Sequence, residues 1–433
     1  MRKQLTERLA ASPAFLLPFW AMTMAFSTYF CMYAFRKPFA AGTYDSGDLL
    51  WGGVELKSAF VISQIIGYTI SKYLGIKICA EVRRHQRLIY LLSAIAVAEA
   101  ALLLFAVLPG NWKILAIFLN GLPLGMVWGF VVSYLEGRRT SEVQLAGLCC
   151  SFILASGVVK DAGRWLMDQG IAEYWMPFVT GLVFLPPFIL TAFLLDLTPD
   201  PNKADIEERV ERKPLMKAER RAFMRKFAVG LSLLLVMYLG LTAFRDFRDN
   251  FGVEIFAELG YGDSPAIFTR SELWVAFGVM GALVPISWIR NNRVALMAVF
   301  GLLFLGCVLI GVSTLLLQMK AISGLTWMIL VGLGGYLGYV PFNSVLFDRI
   351  VAATRTVGTA VFAIYLADAA GYTGSTVLQL YKDLAQSEST RLDFFISFSY
   401  LLAIGGAILS VLAYFDFARE ARRVEQQTSI EAR

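Results

Sequence analysis

Residues 14–40 read AFLLPFWAMTMAFSTYFCMYAFRKPFA, an oily run that meets two adjacent cations and then resumes. A helix of about 20 apolar residues crosses the hydrocarbon core of a bilayer, and lipid offers no hydrogen-bond partners to an open, unpaired backbone. The stretch therefore reads as a membrane span. Its peculiarity is Arg36 and Lys37, which either anchor the helix end among headgroups or meet a ligand.

Working outward, runs of similar length recur near 58–78, 88–109, 113–135, 143–167 and 174–197. A second set follows near 226–251, 266–289, 294–317, 322–347, 356–381 and 393–417. Composition agrees. Of 433 residues, 57% are hydrophobic and 17% charged, where soluble chains hold roughly 25% charged residues, and mean hydropathy is +0.62. The expectation is an all-α membrane protein with twelve transmembrane helices in two pseudo-symmetric six-helix bundles. Residues 1–197 would form the first bundle and 226–433 the second, joined by a polar, solvated and partly helical linker at 198–225. The opening MRKQLTER is charged, but the run after it is too long for a signal segment and lacks a small-residue cleavage site, so it reads as a retained first helix.

A net charge of +6 would suggest nucleic acid in a soluble chain. Here the cations fall in short loops between apolar runs, which is topology information, and no nucleic-acid partner is expected. The N-terminus, the segments near 77–87, 136–142, 290–293 and 348–355, the linker and the C-terminus hold most of the Lys and Arg. The alternate loops hold acidic segments such as 168–173 and 254–263. The positive-inside rule then places both termini and the linker in the cytoplasm, for a multi-pass protein of the bacterial inner (plasma) membrane.

The halves echo each other in matching order. Ala34-Phe35-Arg36 matches Ala243-Phe244-Arg245, GLPLGMVWGFVVSYLEGRR (121–139) resembles GLGGYLGYVPFNSVLFDRI (332–350), and KDAG (160–163) resembles ADAAG (367–371). This favours a duplicated six-helix unit.

An ionisable side chain at mid-membrane costs about 2.5–3.5 kcal/mol on insertion scales, and such groups normally face a bundle interior or wet cavity. The sequence accepts that cost at Arg36, Lys72, Lys160, Asp161, Arg164, Arg245, Asp246, Arg248, Asp249 and Asp368. Together they imply a polar path between the halves. The chain runs on through Phe39, Ala40, Ala41 and Tyr44 after Arg36, and Arg245 recurs in the equivalent span, which favours the ligand reading of Arg36 over the anchor. Guanidinium is weakly hydrated and shaped for two parallel bonds to an oxyanion, so two converging arginines suit phosphate or carboxylate. Lys72 and Lys160 either add positive field or form structural ion pairs, Lys160 with Asp161 or Asp368. The spacing of Arg245 and Asp249 allows an i, i+4 pair. Asp368 and Asp161 are the candidates for a titrating, coupling carboxylate.

The glycines at 121, 125 and 129 and at 332, 335 and 338 read as tight helix packing, and Trp128, Tyr336 and Tyr339 as candidate cavity aromatics. His85, the sole histidine, falls in a basic loop. Cys31, Cys79, Cys149, Cys150 and Cys307 lie in or beside apolar runs without metal-ligand spacing, so neither a disulfide framework nor a metal site is expected. No nucleotide loop or nucleophile motif occurs, so no cofactor is expected and the chain does not read as an enzyme.

These residues carry a resemblance. YAFRKPFA (33–40) resembles the Y-x-x-R-K-x-F-A motif of organophosphate:phosphate antiporters, the major-facilitator branch that includes glycerol-phosphate and hexose-phosphate carriers. IGYTISK (66–72) is similar to their Y-G-x-S-K, and GIKICAEVRR (75–84) to a degraded form of the superfamily loop G-x-x-x-D-R-x-x-R-R. Phe244-Arg245 matches the position of the second family arginine. A group of bacterial membrane proteins with the signature MYAFRKPF (32–39 here) is also similar. The antiporter resemblance implies that Arg36 and Arg245 bind a phosphate group, with Lys72 near the site; Tyr33 of the motif and Lys160 are further candidate binding residues. Departures are Pro38 after the Arg-Lys pair, where one backbone bond is lost and the helix is expected to bend, Lys160-Asp161 in place of a fifth-span histidine, and the crowded charges of the seventh span.

The function expected is secondary active transport of a small anionic, phosphorylated organic solute by alternating access, in exchange for phosphate, by a monomer in the lipid bilayer. Two alternatives stay open: a proton-coupled carrier of a carboxylate or sugar, and a transporter-like sensor that binds without moving solute.

Overall fold

The computed structural model describes residues 2–13, 15–44, 54–136, 138, 140–201, 224–354, 360–385 and 389–431. Most of the expected linker, 202–223, lies outside the described residues. In chain order, a short α1 (Arg2–Ala10) precedes α2 (Leu16–Met32), α3 (Leu56–Glu81), α4 (Arg87–Val107), α5 (Trp112–Val132), α6 (Ser141–Asp168) and α7 (Met176–Asp196). The second half holds α8 (Ala228–Asn250), α9 (Gly252–Glu258), α10 (Ile267–Ser287), α11 (Asn292–Gln318), α12 (Gly324–Ser344), α13 (Leu346–Thr354), α14 (Ala360–Ala385) and α15 (Arg391–Glu431).

The long helices are α2–α8, α10–α12, α14 and α15, and among the described residues 9 of them are long and apolar enough to cross a membrane by length and composition. The other three are informative. α2 is cut short at Met32, while α3 and α14 carry Lys72 and Asp368 in mid-helix.

Packing repeats between the halves. α2 packs on α6 and α7, α3 on α5, and α4 on α5 and α7. Shifted by one half, α8 packs on α14 and α15, α10 on α12, and α11 on α12 and α15. The halves meet through α6 against α10 and, equivalently, α14 against α3. This is a pseudo-two-fold pair of six-helix bundles in an all-α membrane protein. α6 is 78% buried over its most apolar stretch and α7 only 28%, so the interior runs along α6 and its neighbours while α7 faces outward.

The glycine stripes do the packing work expected of them. A Cβ on Gly125 would stand 2.6 Å from the Tyr68 carbonyl of α3, and one on Gly121 would meet the Gln64 carbonyl. Glycine there lets α3 and α5 touch backbone to backbone. In the second half Gly335 and Gly338 face Phe244 and Leu241 of α8.

The first span does not continue as one bent helix to residue 40. α2 stops at Met32, Tyr33–Phe35 form a 3₁₀ turn, and Pro38–Ala41 form another. Proline has no N–H to give the carbonyl four residues back. The amides of Arg36 and Lys37 both return to the Tyr33 carbonyl, at 3.0 and 2.9 Å, and Ala40 donates to Lys37. The cation pair thus sits on irregular backbone buried inside the bundle.

Candidate functional site

That irregular backbone sends neighbouring cations to different places. Arg36, 4% exposed, lies with its guanidinium carbon 4.0 Å from the centre of the Tyr68 ring. Its Nε has no hydrogen-bond partner among the described residues. Lys37 instead reaches across to the second half, 2.5 Å from Asp249 Oδ2 and 2.8 Å from Asn250 Oδ1.

Arg36 borders a cavity of about 20 Å³ walled by Tyr29, Tyr33, Tyr68, Lys72, Trp128 and Phe152 of the first half. From the second half come Arg245, Tyr339, Asn343, Asp368 and Tyr372. That volume is room for about one water molecule, far below the roughly 300 Å³ at the small end of ligand pockets, so a solute enters only if the walls part. Arg245 stacks on Tyr339 at 4.1 Å. A larger groove along the ends of α3 and α5 is lined almost wholly by apolar groups and carries no ionisable side chain, so the charged chemistry belongs to the smaller space.

Within it the halves touch through charge. Lys72 Nζ stands 3.0 Å from Asp368 Oδ2. The Tyr238 hydroxyl donates to Asp368 Oδ1 at 2.6 Å and accepts from Asn343 Nδ2 at 2.9 Å. Asp368 is thus held by Tyr238 of α8, which α12 bonds in turn, while its other oxygen faces the opposite half.

The structure sorts the expected site residues. Arg36, Arg245, Lys72, Tyr33 and Asp368 share one cavity wall, as do Trp128 and Tyr339 of the expected aromatics. Lys160 and Asp161 do not reach it. Lys160 pairs with neither Asp161 nor Asp368 but with Asp249, 2.8 Å away on α8, and Asp161 accepts from the Thr269 amide at 2.6 Å. Nor does Arg245 form the i, i+4 pair with Asp249; its partner is the adjacent Asp246, at 2.8 Å. The physical reason is common to these corrections: Asp249 lies where Lys37 and Lys160 from the other half can both reach it, and two cations outbid one on its own helix. The Ser156 hydroxyl also donates to Asp249.

These contacts belong to a closure at the end where α2 and α8 stop. Lys57 pairs with Glu254 at 2.5 Å, and Arg391 bonds Glu55 at 2.7 Å and Ser58 at 2.9 Å, each across the halves. Beside them Tyr44, outside the helices, is buried near Glu173; burial first, and that carboxylate second, hold its hydroxyl proton more tightly than usual. Arg248 serves its own half, bonded to Glu272 at 2.6 Å.

The sequence reading passed over Gln64, Asn120, Tyr238 and Asn343, all buried polar groups within spans. Their signal was available: a neutral amide or hydroxyl in lipid needs a partner as surely as a charge does. The five cysteines are free, and among the described residues no group of three His, Cys, Asp or Glu side chains is placed to hold a metal ion.

A family profile described as a family of unknown function (DUF5690) matches residues 38–420. The chain belongs to DUF5690. No curated protein matches this DUF5690 chain in sequence. Solved structures share its fold, two transporters among them. One is a peptide transporter, POT, in complex with alafosfalin, with a TM-score of 0.57 at 15% identity, covering 98% of this chain and 99% of its own. The other is the nucleoside transporter NupG, with a TM-score of 0.55 at 14% identity, covering 93% and 99%. The DUF5690 chain thus has the major-facilitator architecture expected of it.

Proposed function

We propose that this DUF5690 protein is a secondary transporter that clamps a small anionic, phosphorylated organic solute between Arg36 and Arg245 and moves it by alternating access. One observation carries the reading: arginines from opposite halves line one cavity, and the Nε of Arg36 is buried in that wall without a partner among the described residues. A desolvated guanidinium with an unbonded N–H favours an incoming oxyanion.

Charge balance supports an anion. Arg36, Lys72 and Arg245 face the cavity with Asp368, and Asp246 pairs with Arg245. With every group ionised, one positive charge is left over at the cavity. A phosphate group supplies the missing negative charge. Rocking of the halves about this site would expose it alternately to each side, as the repeated packing permits. The distribution of Lys and Arg supports cytoplasmic termini, and the reading takes the protein as a monomer in the bacterial inner membrane.

A second reading rests on the Lys72–Asp368 pair: protonation of Asp368 would free Lys72, making the protein a proton-coupled carrier of a carboxylate or sugar. The test is counterflow in proteoliposomes loaded with inorganic phosphate and offered sugar phosphates or dicarboxylates. Exchange that vanishes in Arg36→Ala and Arg245→Ala supports the clamp, and full exchange by either variant refutes it. Uptake that needs a proton gradient and ignores internal phosphate selects the second reading. Thermal stabilisation by an anion without counterflow would mark a sensor instead.

A further inference from the structure

A helix that stops inside a membrane leaves carbonyls without amide partners, and lipid cannot supply them. Had α2 continued, the carbonyls of Phe35 and Arg36 would have bonded the amides of Phe39 and Ala40. Instead, two side-chain amides take them. Asn120 Nδ2, on α5, donates to the Phe35 carbonyl at 2.9 Å and to the Ala98 carbonyl of α4 at 3.0 Å. Gln64 Nε2, on α3, donates to the Arg36 carbonyl at 2.9 Å and to Asn120 Oδ1 at 2.7 Å. Both side chains are buried, Asn120 fully and Gln64 to 3% exposure.

We infer that Gln64 and Asn120 are positioning residues that fix Arg36 for the anion without touching the cavity. The inference rests on the clamp reading above and goes beyond it. Neither residue is part of the cavity wall, yet each is bonded to the peptide units that carry the Arg36 side chain. Their own placement comes from Gly121, which follows Asn120 in the chain and sits against the Gln64 carbonyl. The close approach of α3 and α5 therefore brings the two amides together beneath the break. The second half needs no such device, because Arg245 lies within the continuous helix α8. One guanidinium is aimed by regular helix, the other by a pair of amides.

The test uses the purified full-length protein, with inorganic phosphate as the probe, and the variants Asn120→Asp and Gln64→Met. Amide exchange over residues 33–41 should rise in each variant while the rest of the first half keeps its protection. Phosphate binding, read as the stabilisation that phosphate adds to each variant's own Tm, should weaken about ten-fold, the scale of lost hydrogen bonds that orient a charged group, beside the fall in phosphate-free Tm that orphaned buried acceptors bring. Gln64→Met is the milder change and carries the test if Asn120→Asp fails to fold. Unchanged exchange at 33–41 overturns the inference. So does a rise in exchange spread evenly over the first half, or unaltered phosphate affinity, since these describe ordinary structural residues. Wild-type protein that phosphate does not stabilise, or Arg36→Ala that it stabilises fully, overturns the clamp and with it the purpose of the tie; the exchange still reports whether the tie exists.

Discussion

Lys72 and Asp368 meet at 3.0 Å across the two halves, inside the cavity that holds both arginines. An anion entering this space competes with Asp368 for Lys72. Asp368→Asn removes the competitor and leaves Lys72 without its carboxylate, so anion binding should tighten by about ten-fold, or 1.4 kcal/mol. Isothermal titration with the preferred anion reads this directly. Weaker binding would show that Asp368 serves the solute rather than standing in for it.

Asp249 receives Lys37 and Lys160 from the first half while belonging to the second. Asp249→Asn strips two buried ammonium groups of their shared carboxylate, and breaking a buried pair by removing one partner costs about 3–5 kcal/mol. The variant should melt well below wild type and open at this end. A cysteine at Ser156, in a chain freed of its native cysteines, should then react faster with a membrane-impermeant thiol reagent. Equal labelling with and without Asp249 would mean that something else closes the molecule here.

Glycine substitutions separate contact from open surface. Gly121→Ala puts a methyl on the Gln64 carbonyl, where no side-chain rotation relieves it, and overpacking of this kind costs about 1–3 kcal/mol. Gly405→Ala on α15 meets nothing within 4 Å and should be neutral or stabilising by up to about 1 kcal/mol through helix propensity. Thermal denaturation of the pair is the check; similar Tm values would contradict the close approach of α3 and α5.

Glu99 on α4 is 7% exposed, and both carboxylate oxygens lack partners among the described residues. Glu99→Met keeps the length of the side chain and deletes the orphaned oxygens. Stability should rise, on the scale of about 1–3 kcal/mol for an unsatisfied buried group. A lower Tm, or loss of anion transport in a more stable protein, would assign Glu99 a role that its surroundings do not show.

Much of this architecture was legible in the sequence because lipid imposes simple rules. Span length located the helices, and the cost of a mid-membrane charge singled out Arg36, Lys72, Arg245 and Asp368, which the structure brings together. Partner choice was not legible. Lys160 and Asp249 are 89 positions apart and Lys37 and Asn250 are 213 apart, so no local spacing announces either contact. Local rules instead suggested Arg245 with Asp249 and Lys160 with Asp161, and tertiary geometry overrode both. Gln64 and Asn120 escaped notice for another reason: attention to charge overlooks neutral amides, although a broken helix needs them most.

Trp128 lines the cavity edge-on to Tyr29, with ring centroids 5.0 Å apart, and lies 5.9 Å from Phe152. An indole at that spot senses the polarity of whatever fills the space beside it. With the chain's other tryptophans replaced by phenylalanine, its emission becomes an intrinsic gauge of occupancy. Solutes can then be ranked by fluorescence in detergent, before any vesicle is made or any radiolabel chosen.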